Sequence, residues 1–216
     1  MRKVVTKPCN LLSVTTRMTG KMIGMTAISS SMLNNPNCAI LAKIKGTVCQ
    51  KCYSKTALSY RQKANNCYTQ NGEILSQSII PKNQLPFINA TFARLETHGD
   101  LINTTHLQNF INLCKKNPQC FFVLWSKQYQ IILDYFKENK PPKNFRLVVS
   151  SLMLNKQINL KRFKELGLDC KVFTVYDKKC TKECNIKINC GGKNCIDCQL
   201  CYNKNSKTKE IKELLK

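Results

Sequence analysis

Histidine is almost missing from this sequence, and long apolar runs are missing altogether. His98 and His106 are the only two imidazoles, so a catalytic metal site built on several histidines is excluded. A membrane-spanning helix needs about 20 consecutive apolar residues. The longest apolar runs here, such as residues 120–125, have only the length of a strand. We therefore expect a soluble chain without a membrane partner.

An export signal is also missing. Residues 1–17 contain no long apolar stretch followed by small residues at a cleavage site. We therefore expect a cytoplasmic protein in a reducing compartment, where its 14 cysteines act as metal ligands or free thiols more readily than as disulfides. Cys114, Cys120 and Cys170 lie in or beside apolar runs, which predicts that these three are core residues.

Four common motifs of nucleotide-binding proteins and hydrolases are absent. The chain has no GxxxxGK phosphate-binding loop, no GxGxxG, no HExxH and no GxSxG. These absences exclude the usual motif-based forms of nucleotide hydrolysis, dinucleotide binding, zinc proteolysis and serine hydrolysis.

Acidic residues are scarce. The chain has 12 Asp and Glu against 35 Lys and Arg, which gives a net charge of +23. A field of this sign favours polyanions, so nucleic acid, a nucleotide or an anionic surface is the expected partner. Abundant lysine and asparagine are equally the product of an AT-rich genome, so the charge leaves both interpretations open.

Between residues 88 and 176, apolar segments of strand length alternate with segments of helical periodicity. This alternation predicts an α/β fold, a partial (β/α) barrel of mostly parallel strands; an open doubly wound sheet is the other arrangement. We expect an α/β domain at residues 1–178. A Cys-rich metal-binding tail with a terminal helix follows at residues 179–216.

Three local predictions accompany this fold. Residues 38–80 contain few helix-breaking residues and are expected to be mostly helical. Thr104 or Thr105 is expected to cap the helix that follows the first strand of the alternating region. The charged segment SKTKEIKELLK, residues 206–216, is expected to form the terminal helix.

The ends of the predicted strands carry polar residues that could face a ligand, because parallel α/β sheets bind ligands at the carboxyl ends of their strands. The candidate catalytic residues at these ends are His98, Asp100, Ser126 and Lys127. Asp100 could bind a cation, a ribose hydroxyl or an amine, or simply be a turn or cap residue. Ser126 and Lys127 could contact phosphate or carboxylate, or form a solvated turn.

The tail holds six cysteines, spaced C-x3-C-x5-C-x4-C-x2-C-x2-C from Cys180 to Cys201. Three cysteines in C-x2-C-x2-C spacing, at Cys195, Cys198 and Cys201, are typical of iron–sulfur proteins, with a fourth ligand further away. Zinc sites usually show two C-x2-C pairs, and zinc remains the alternative. The fourth ligand could be Cys180, Cys184 or Cys190.

A second group of cysteines lies far upstream. Cys49 and Cys52 form a C-x2-C pair, and Cys38 offers a third ligand. A cluster held by three cysteines leaves one iron open to a small molecule. The alternative is a zinc site that also uses Cys67.

Several of these segments, taken in order, resemble the gene product 88 family of phages and plasmids. The segments that carry the resemblance are TGKMIGMTAISSS, Cys38, CQKCY, RLETHGD, Trp125-Ser126-Lys127 and the terminal C-x2-C-x2-C. The resemblance implies an organisation similar to radical S-adenosylmethionine enzymes, with a three-cysteine group, a partial barrel and an auxiliary cluster in the tail. Radical enzymes of that type use C-x3-C-x2-C, whereas ten residues separate Cys38 from Cys49.

The resemblance also implies roles for individual residues. It places Glu96, Gly99 and Asp100 at a cofactor-binding strand end, although Glu96 stands where the family has histidine and His98 stands where it has serine. It favours Cys184 as the fourth tail ligand, because ten residues separate Cys184 from Cys195.

Two functions follow as hypotheses. The first is an iron–sulfur protein with one open-site [4Fe-4S] cluster and an auxiliary cluster, which performs redox or radical chemistry on a nucleotide or nucleic acid, with S-adenosylmethionine as the co-substrate. The second is a non-catalytic nucleic-acid-binding protein stabilised by zinc or a cluster, in which the basic segment around residues 55–63 contacts phosphates.

Overall fold

Six parallel strands form one open sheet in a computed structural model that describes residues 11–203 and 205–215. The strands are β1 (Thr26–Ile28), β2 (Phe92–Leu95), β3 (Phe121–Ser126), β4 (Phe145–Ser150), β5 (Cys170–Tyr176) and β6 (Glu210–Leu214). They lie side by side in chain order, and every pairing is parallel. The predicted α/β fold with parallel strands is confirmed, and the sheet does not close.

Eight α-helices and two short 3-10 helices connect the strands in the described chain. The 3-10 helices span Gly20–Met22 and Val48–Lys51; the α-helices are α1 (Pro36–Lys43), α2 (Tyr53–Tyr60), α3 (Gln62–Gln77), α4 (Thr104–Lys116), α5 (Tyr129–Glu138), α6 (Lys161–Glu165), α7 (Lys178–Glu183) and α8 (Cys195–Cys198). The long helical segment predicted for residues 38–80 is therefore three helices and a turn.

Two helix N-termini are fixed by asparagine side chains. Asn35 accepts hydrogen bonds from the N–H groups of Asn37 and Cys38 at the start of α1. Asn103 caps α4 by accepting from the His106 N–H at 2.9 Å. The prediction that Thr104 or Thr105 caps α4 is wrong, because Asn103, a residue type strongly preferred at this position, stands one position earlier.

The two faces of the sheet are covered by different parts of the chain. Successive side chains of a strand point to opposite faces, so Leu147 and Val149 of β4 pack in a large core with α4, α5 and α6. Val148 points the other way, into a smaller cluster with Val123, Trp125 and Tyr202. We call this second surface the tail-covered face, because Tyr202 and several tail cysteines cover it.

Buried cations hold the tail against that face. The Arg146 guanidinium, on β4, donates to the carbonyl oxygens of Cys201 (3.1 Å) and Asn203 (3.0 Å) and pairs with Asp169. Lys171, on β5, donates from Nζ to the Leu200 carbonyl at 2.6 Å. Part of the positive charge of the chain is therefore used inside the protein.

The predicted terminal helix is wrong, because the segment forms strand β6. Its residues pair with β5 from Val172↔Glu210 to Tyr176↔Leu214. β6 is the last strand of the open sheet and pairs only with β5 among the described strands. Its residue Ile211 points into the tail-covered face. The boundary between residues 178 and 179 stays a prediction, although the last described strand belongs to the common sheet.

No helix within the described ranges combines the length and apolar character that crossing a bilayer requires.

Candidate functional site

Asp100 ties the carboxyl ends of β2 and β3 together. Its Oδ1 accepts hydrogen bonds from the Ser126 hydroxyl (2.5 Å) and the Leu101 N–H (2.8 Å), and its Oδ2 accepts from the Lys127 N–H (2.9 Å). Burial raises the pKa of Asp100 above its usual range, against the opposing effects of Lys127 and these hydrogen bonds. The structure thus brings together three of the four candidate catalytic residues, Asp100, Ser126 and Lys127.

His98, the fourth candidate, lies near this edge but faces aromatic side chains. Its Nδ1 is 3.2 Å from the Ser54 hydroxyl, and its ring stacks on Tyr68 at 5.5 Å and tilts toward Tyr53 at 5.8 Å. Burial lowers the pKa of His98 to about 4, and Arg94 acts in the same direction. The imidazole is therefore neutral near pH 7 and can accept or donate a hydrogen bond without carrying charge.

Glu96 and Gly99, the other residues assigned to cofactor binding, face the end of β1. The Glu96 carboxylate accepts from the Ser30 N–H (3.1 Å) and hydroxyl (3.0 Å), and His106 Nε2 lies 3.1 Å from its other oxygen. A Cβ on Gly99 would lie 2.2 Å from the Ser30 hydroxyl oxygen. Glu96 and Gly99 therefore both contact Ser30, which follows the end of β1. At position 99 only glycine allows this close approach.

Three of the predicted metal ligands lie at the same edge of the sheet. Cys38 is in α1, Cys49 is in the 3-10 helix Val48–Lys51, and Cys52 immediately precedes α2. All three are half-buried and free. The Asn35 cap fixes the first turn of α1, so Cys38 is held by the local structure that its own sequence encodes.

Charges around these thiols connect them to the strand ends. Burial raises the pKa of Cys38, and the nearby groups Asp100, Glu96 and Cys49 act in the same direction. Burial also raises the pKa of Cys49, whereas Lys127 lowers it. Cys38, Cys49, Asp100 and Lys127 therefore share one neighbourhood, in which Lys127 is the cation that favours thiolates. We call Cys38, Cys49 and Cys52 the edge group.

Cys67, the alternative fourth ligand, lies exposed on α3, outside the half-buried edge group. Tyr129 is a neighbour of Asp100 and Cys49, and its hydroxyl donates to the Ser150 carbonyl at 2.6 Å. The sequence did not indicate Tyr129 as a site residue, because its position at the start of a predicted helix carries no functional motif.

The tail cysteines divide into a pair and a group of four. The sulfurs of Cys180 and Cys184 are 3.9 Å apart on α7. Burial raises the pKa of Cys201 to about 12, and the three thiols that act in the same direction are Cys190, Cys195 and Cys198. These neighbours favour Cys190 as the fourth member, and the choice of Cys184 stays a prediction. We call Cys190, Cys195, Cys198 and Cys201 the tail group.

The donor atoms of both groups fit a soft metal. Thiolates select zinc or iron–sulfur clusters, and each group gathers thiols from segments that converge. Across residues 11–203 and 205–215, however, no three His, Cys, Asp or Glu side chains lie close enough to hold a metal ion as placed. Coordination therefore requires side-chain rotation in either group.

Arg94 is the residue that sequence analysis overlooked most clearly. It occupies the middle of β2, where the apolar neighbours Ala93 and Leu95 are fully buried. Its guanidinium lies 4.0 Å from the centre of the Trp125 ring on the tail-covered face. A single cation inside an otherwise apolar strand is the signal that could have drawn attention to it.

The chain was compared with protein-family models, curated proteins and solved structures, and none of them matches it. The edge group and the tail group are therefore the basis on which a function can be argued.

Proposed function

We propose that this chain is an iron–sulfur protein in which the edge group holds a [4Fe-4S] cluster and the tail group holds a second cluster. The observation that carries the proposal is the position of the edge group: three half-buried thiols, of which Cys38 and Cys49 lie near Asp100 and Lys127, occupy the carboxyl edge of a parallel sheet. Ligands of parallel α/β folds bind at this edge.

The arrangement of the strands supports the same proposal. Six parallel strands in chain order, without closure, are the arrangement of a partial (β/α) barrel. In such a barrel the carboxyl ends of neighbouring strands surround one mouth. Asp100 and Ser126, which follow or end adjacent strands, are hydrogen-bonded to each other at these ends.

At the edge group an iron–sulfur cluster suits the donor set better than structural zinc. A structural zinc site is closed by four ligands, whereas the edge group supplies three cysteines, and Cys67 remains exposed outside it. When bound, a cluster with one open iron supplies one-electron chemistry and a coordination position for a small molecule. S-adenosylmethionine is the candidate for that position, and a nucleotide or nucleic acid is the candidate substrate.

The residues of the chain have separate tasks around the edge group. Lys127 offers a positive charge to anionic thiolates or to an anionic substrate. Asp100 holds the ends of β2 and β3 in place through its hydrogen bonds to Ser126 and to the Lys127 N–H. His98 offers an uncharged hydrogen-bonding atom in an aromatic pocket.

Anaerobic reconstitution with iron and sulfide tests the proposal. We expect about eight irons per chain, since each [4Fe-4S] cluster holds four. Cys49→Ser should lose about half of the iron, and its control Cys67→Ser should lose none. Electron paramagnetic resonance of the reduced protein should change when S-adenosylmethionine is added. A colourless protein that retains stoichiometric zinc under these conditions would contradict the proposal.

A second candidate function, nucleic-acid binding without catalysis, is favoured by one exposed surface. Tyr60 is 85% exposed at the end of α2, and the exposed cations Lys55, Arg61 and Lys63 surround it in sequence. Exposed aromatic rings beside cations are typical of surfaces that stack nucleic-acid bases and contact phosphates. We call Lys55, Arg61 and Lys63 the basic segment.

A further inference from the structure

Cations line the tail group where it meets the tail-covered face. The Lys21 Nζ lies 3.6 Å from the Cys190 sulfur and also pairs with Glu213. Arg94 contacts the Met22 sulfur and the Trp125 ring, and Cys195 and Cys201 pack against the same cluster of side chains. Arg94 accordingly acts to lower the pKa of both thiols. Two cations from distant parts of the sequence therefore approach the same four cysteines.

Arg94 is half-buried, and no described carboxylate offsets its charge as carboxylates do for Arg146 and Lys21. Arg146 pairs with Asp169 at 2.7 Å, and Lys21 pairs with Glu213. Among the described residues, no carboxylate pairs with Arg94, and its buried Nε has no hydrogen-bond partner. Its remaining contacts are the Trp125 ring, at 4.0 Å, and a weak one from Nη1 to the Met22 sulfur at 3.7 Å.

An inward-facing guanidinium of this kind is costly unless an anion offsets its charge. The pKa of Arg94 is raised above its ordinary value: burial acts to lower it, and Tyr202, Tyr53, Cys195 and Cys201 act to raise it. Tyrosine hydroxyls are neutral at pH 7. Cysteines become anionic at that pH when they bind a metal, so metal-bound Cys195 and Cys201 are the anions that this position offers.

We propose that Arg94 is the internal counter-charge of a metal–thiolate centre formed by Cys190, Cys195, Cys198 and Cys201. This inference rests on the proposed tail cluster, in which Cys190 is the fourth ligand, and adds to it that Arg94 stabilises the bound form without touching the metal. Four thiolates on a [4Fe-4S] core or on Zn²⁺ leave net negative charge on the centre, which a neighbouring cation offsets.

The test uses the full chain carrying Cys49→Ser, so that metal is retained at the tail group alone. Cys190 and Cys198 border a cleft of about 760 Å³, which gives a chelator access to the tail group. In this background Cys190→Ser should abolish iron binding after anaerobic reconstitution, and Cys184→Ser should retain it. The rate of iron release to a chelator is then compared between Arg94 variants.

Arg94→Met removes the charge and keeps an unbranched apolar chain, whereas Arg94→Lys keeps the charge. We expect Arg94→Met to release iron roughly 10- to 100-fold faster, in the range found for residues that support metal ligands. Arg94→Lys should retain most of the wild-type resistance. Arg162→Gln, the same loss of charge on exposed α6, is the matched control and should leave the rate unchanged.

Stability of the metal-free protein separates this role from a purely structural one. Without metal, Arg94→Met should be at least as resistant to urea as the parent chain, because it removes a half-buried cation whose charge no described carboxylate offsets. Lower stability of the metal-free variant would contradict the inference, and so would equal rates of iron release. If the parent tail group binds neither iron nor zinc, the proposed cluster itself fails.

Discussion

His98 is the residue whose environment most directly sets a pH dependence. It is enclosed by Tyr53 and Tyr68, and burial lowers its pKa to about 4 from the ordinary value of 6.5. The unfolded chain therefore binds a proton between these two pH values that the folded chain does not. Stability due to the neutral imidazole is complete above the unfolded pKa and is lost as the pH falls toward the folded one.

We predict that His98→Gln reduces the pH dependence of folding. From pH 7 to pH 4, the wild type should lose up to about 3 kcal/mol of unfolding free energy to this group, at 1.36 kcal/mol per pKa unit. The variant lacks that contribution, so its urea unfolding curves should shift less over the same interval. Identical shifts in both proteins would show that His98 is not held in its neutral form.

Gly99 is the residue where added volume should matter most. We predict that Gly99→Ala destabilises the protein by about 1–3 kcal/mol, because a methyl group there would overlap the Ser30 hydroxyl and backbone carbonyl. Gly192→Ala is the matched control, since a Cβ there would meet nothing within 4 Å. Urea unfolding of the two variants measures the difference, and equal stabilities would contradict the observed packing.

At the scale of elements, β6 shows how a neighbouring strand overrides local preference. Lysine, glutamate and leucine favour helices, and Ile211, Leu214 and Leu215 recur at helical spacing. The exposed edge of β5 nevertheless offers a row of hydrogen-bonding groups, and residues 210–214 pair with it. Strand preference depends on such packing more than on the isolated sequence.

Two alanine variants distinguish the strand from the helix. In β6, Ile211 is buried and Leu214 is half-buried, whereas an amphipathic helix would bury both equally. We predict that Ile211→Ala costs about 2–4 kcal/mol of unfolding free energy, and that Leu214→Ala costs about 1 kcal/mol or less. Thermal or urea unfolding gives both values, and similar losses would favour the helix.

The central elements could be predicted because their patterns are local. The strands at residues 121–126, 145–150 and 170–176 coincide with predominantly apolar segments, and α5 ends before Pro141 as its sequence indicates. The grouping of Cys190 with the other tail thiols could not be predicted, because spacing alone does not say which cysteines a fold brings together. The inward direction of Arg94 likewise depends on the strand register.

At the scale of the whole molecule, the cations behind the net charge of +23 are divided between the interior and the surface. Arg146 and Lys171 are buried and donate to tail carbonyls, so they are not available to a polyanion. The basic segment is exposed and remains available. Net charge therefore overstates the cationic surface, and the location of each cation decides what it can bind.

We predict that the basic segment contacts phosphates. Replacing Lys55, Arg61 and Lys63 together by glutamine should weaken binding to single-stranded nucleic acid and lower the slope of log K against log salt by about 2, at about 0.7 per lost contact. The matched control replaces three exposed cations of α6: Lys161, Arg162 and Lys164. Equal losses in both triple variants would indicate a diffuse effect of net charge, and a salt-independent affinity would contradict phosphate contact.

The cover that the tail places on one face of the sheet has a consequence for synthesis. Strands β1 to β5 leave the ribosome before Tyr202 and Ile211 do, so Val123, Trp125 and Val148 face water while translation continues. A nascent chain in this state exposes an apolar surface and leaves the outer backbone groups of β5 unpaired. Both features promote aggregation and binding by chaperones. Maturation of this protein is therefore completed from its C-terminal side, when the cysteine-rich segment docks.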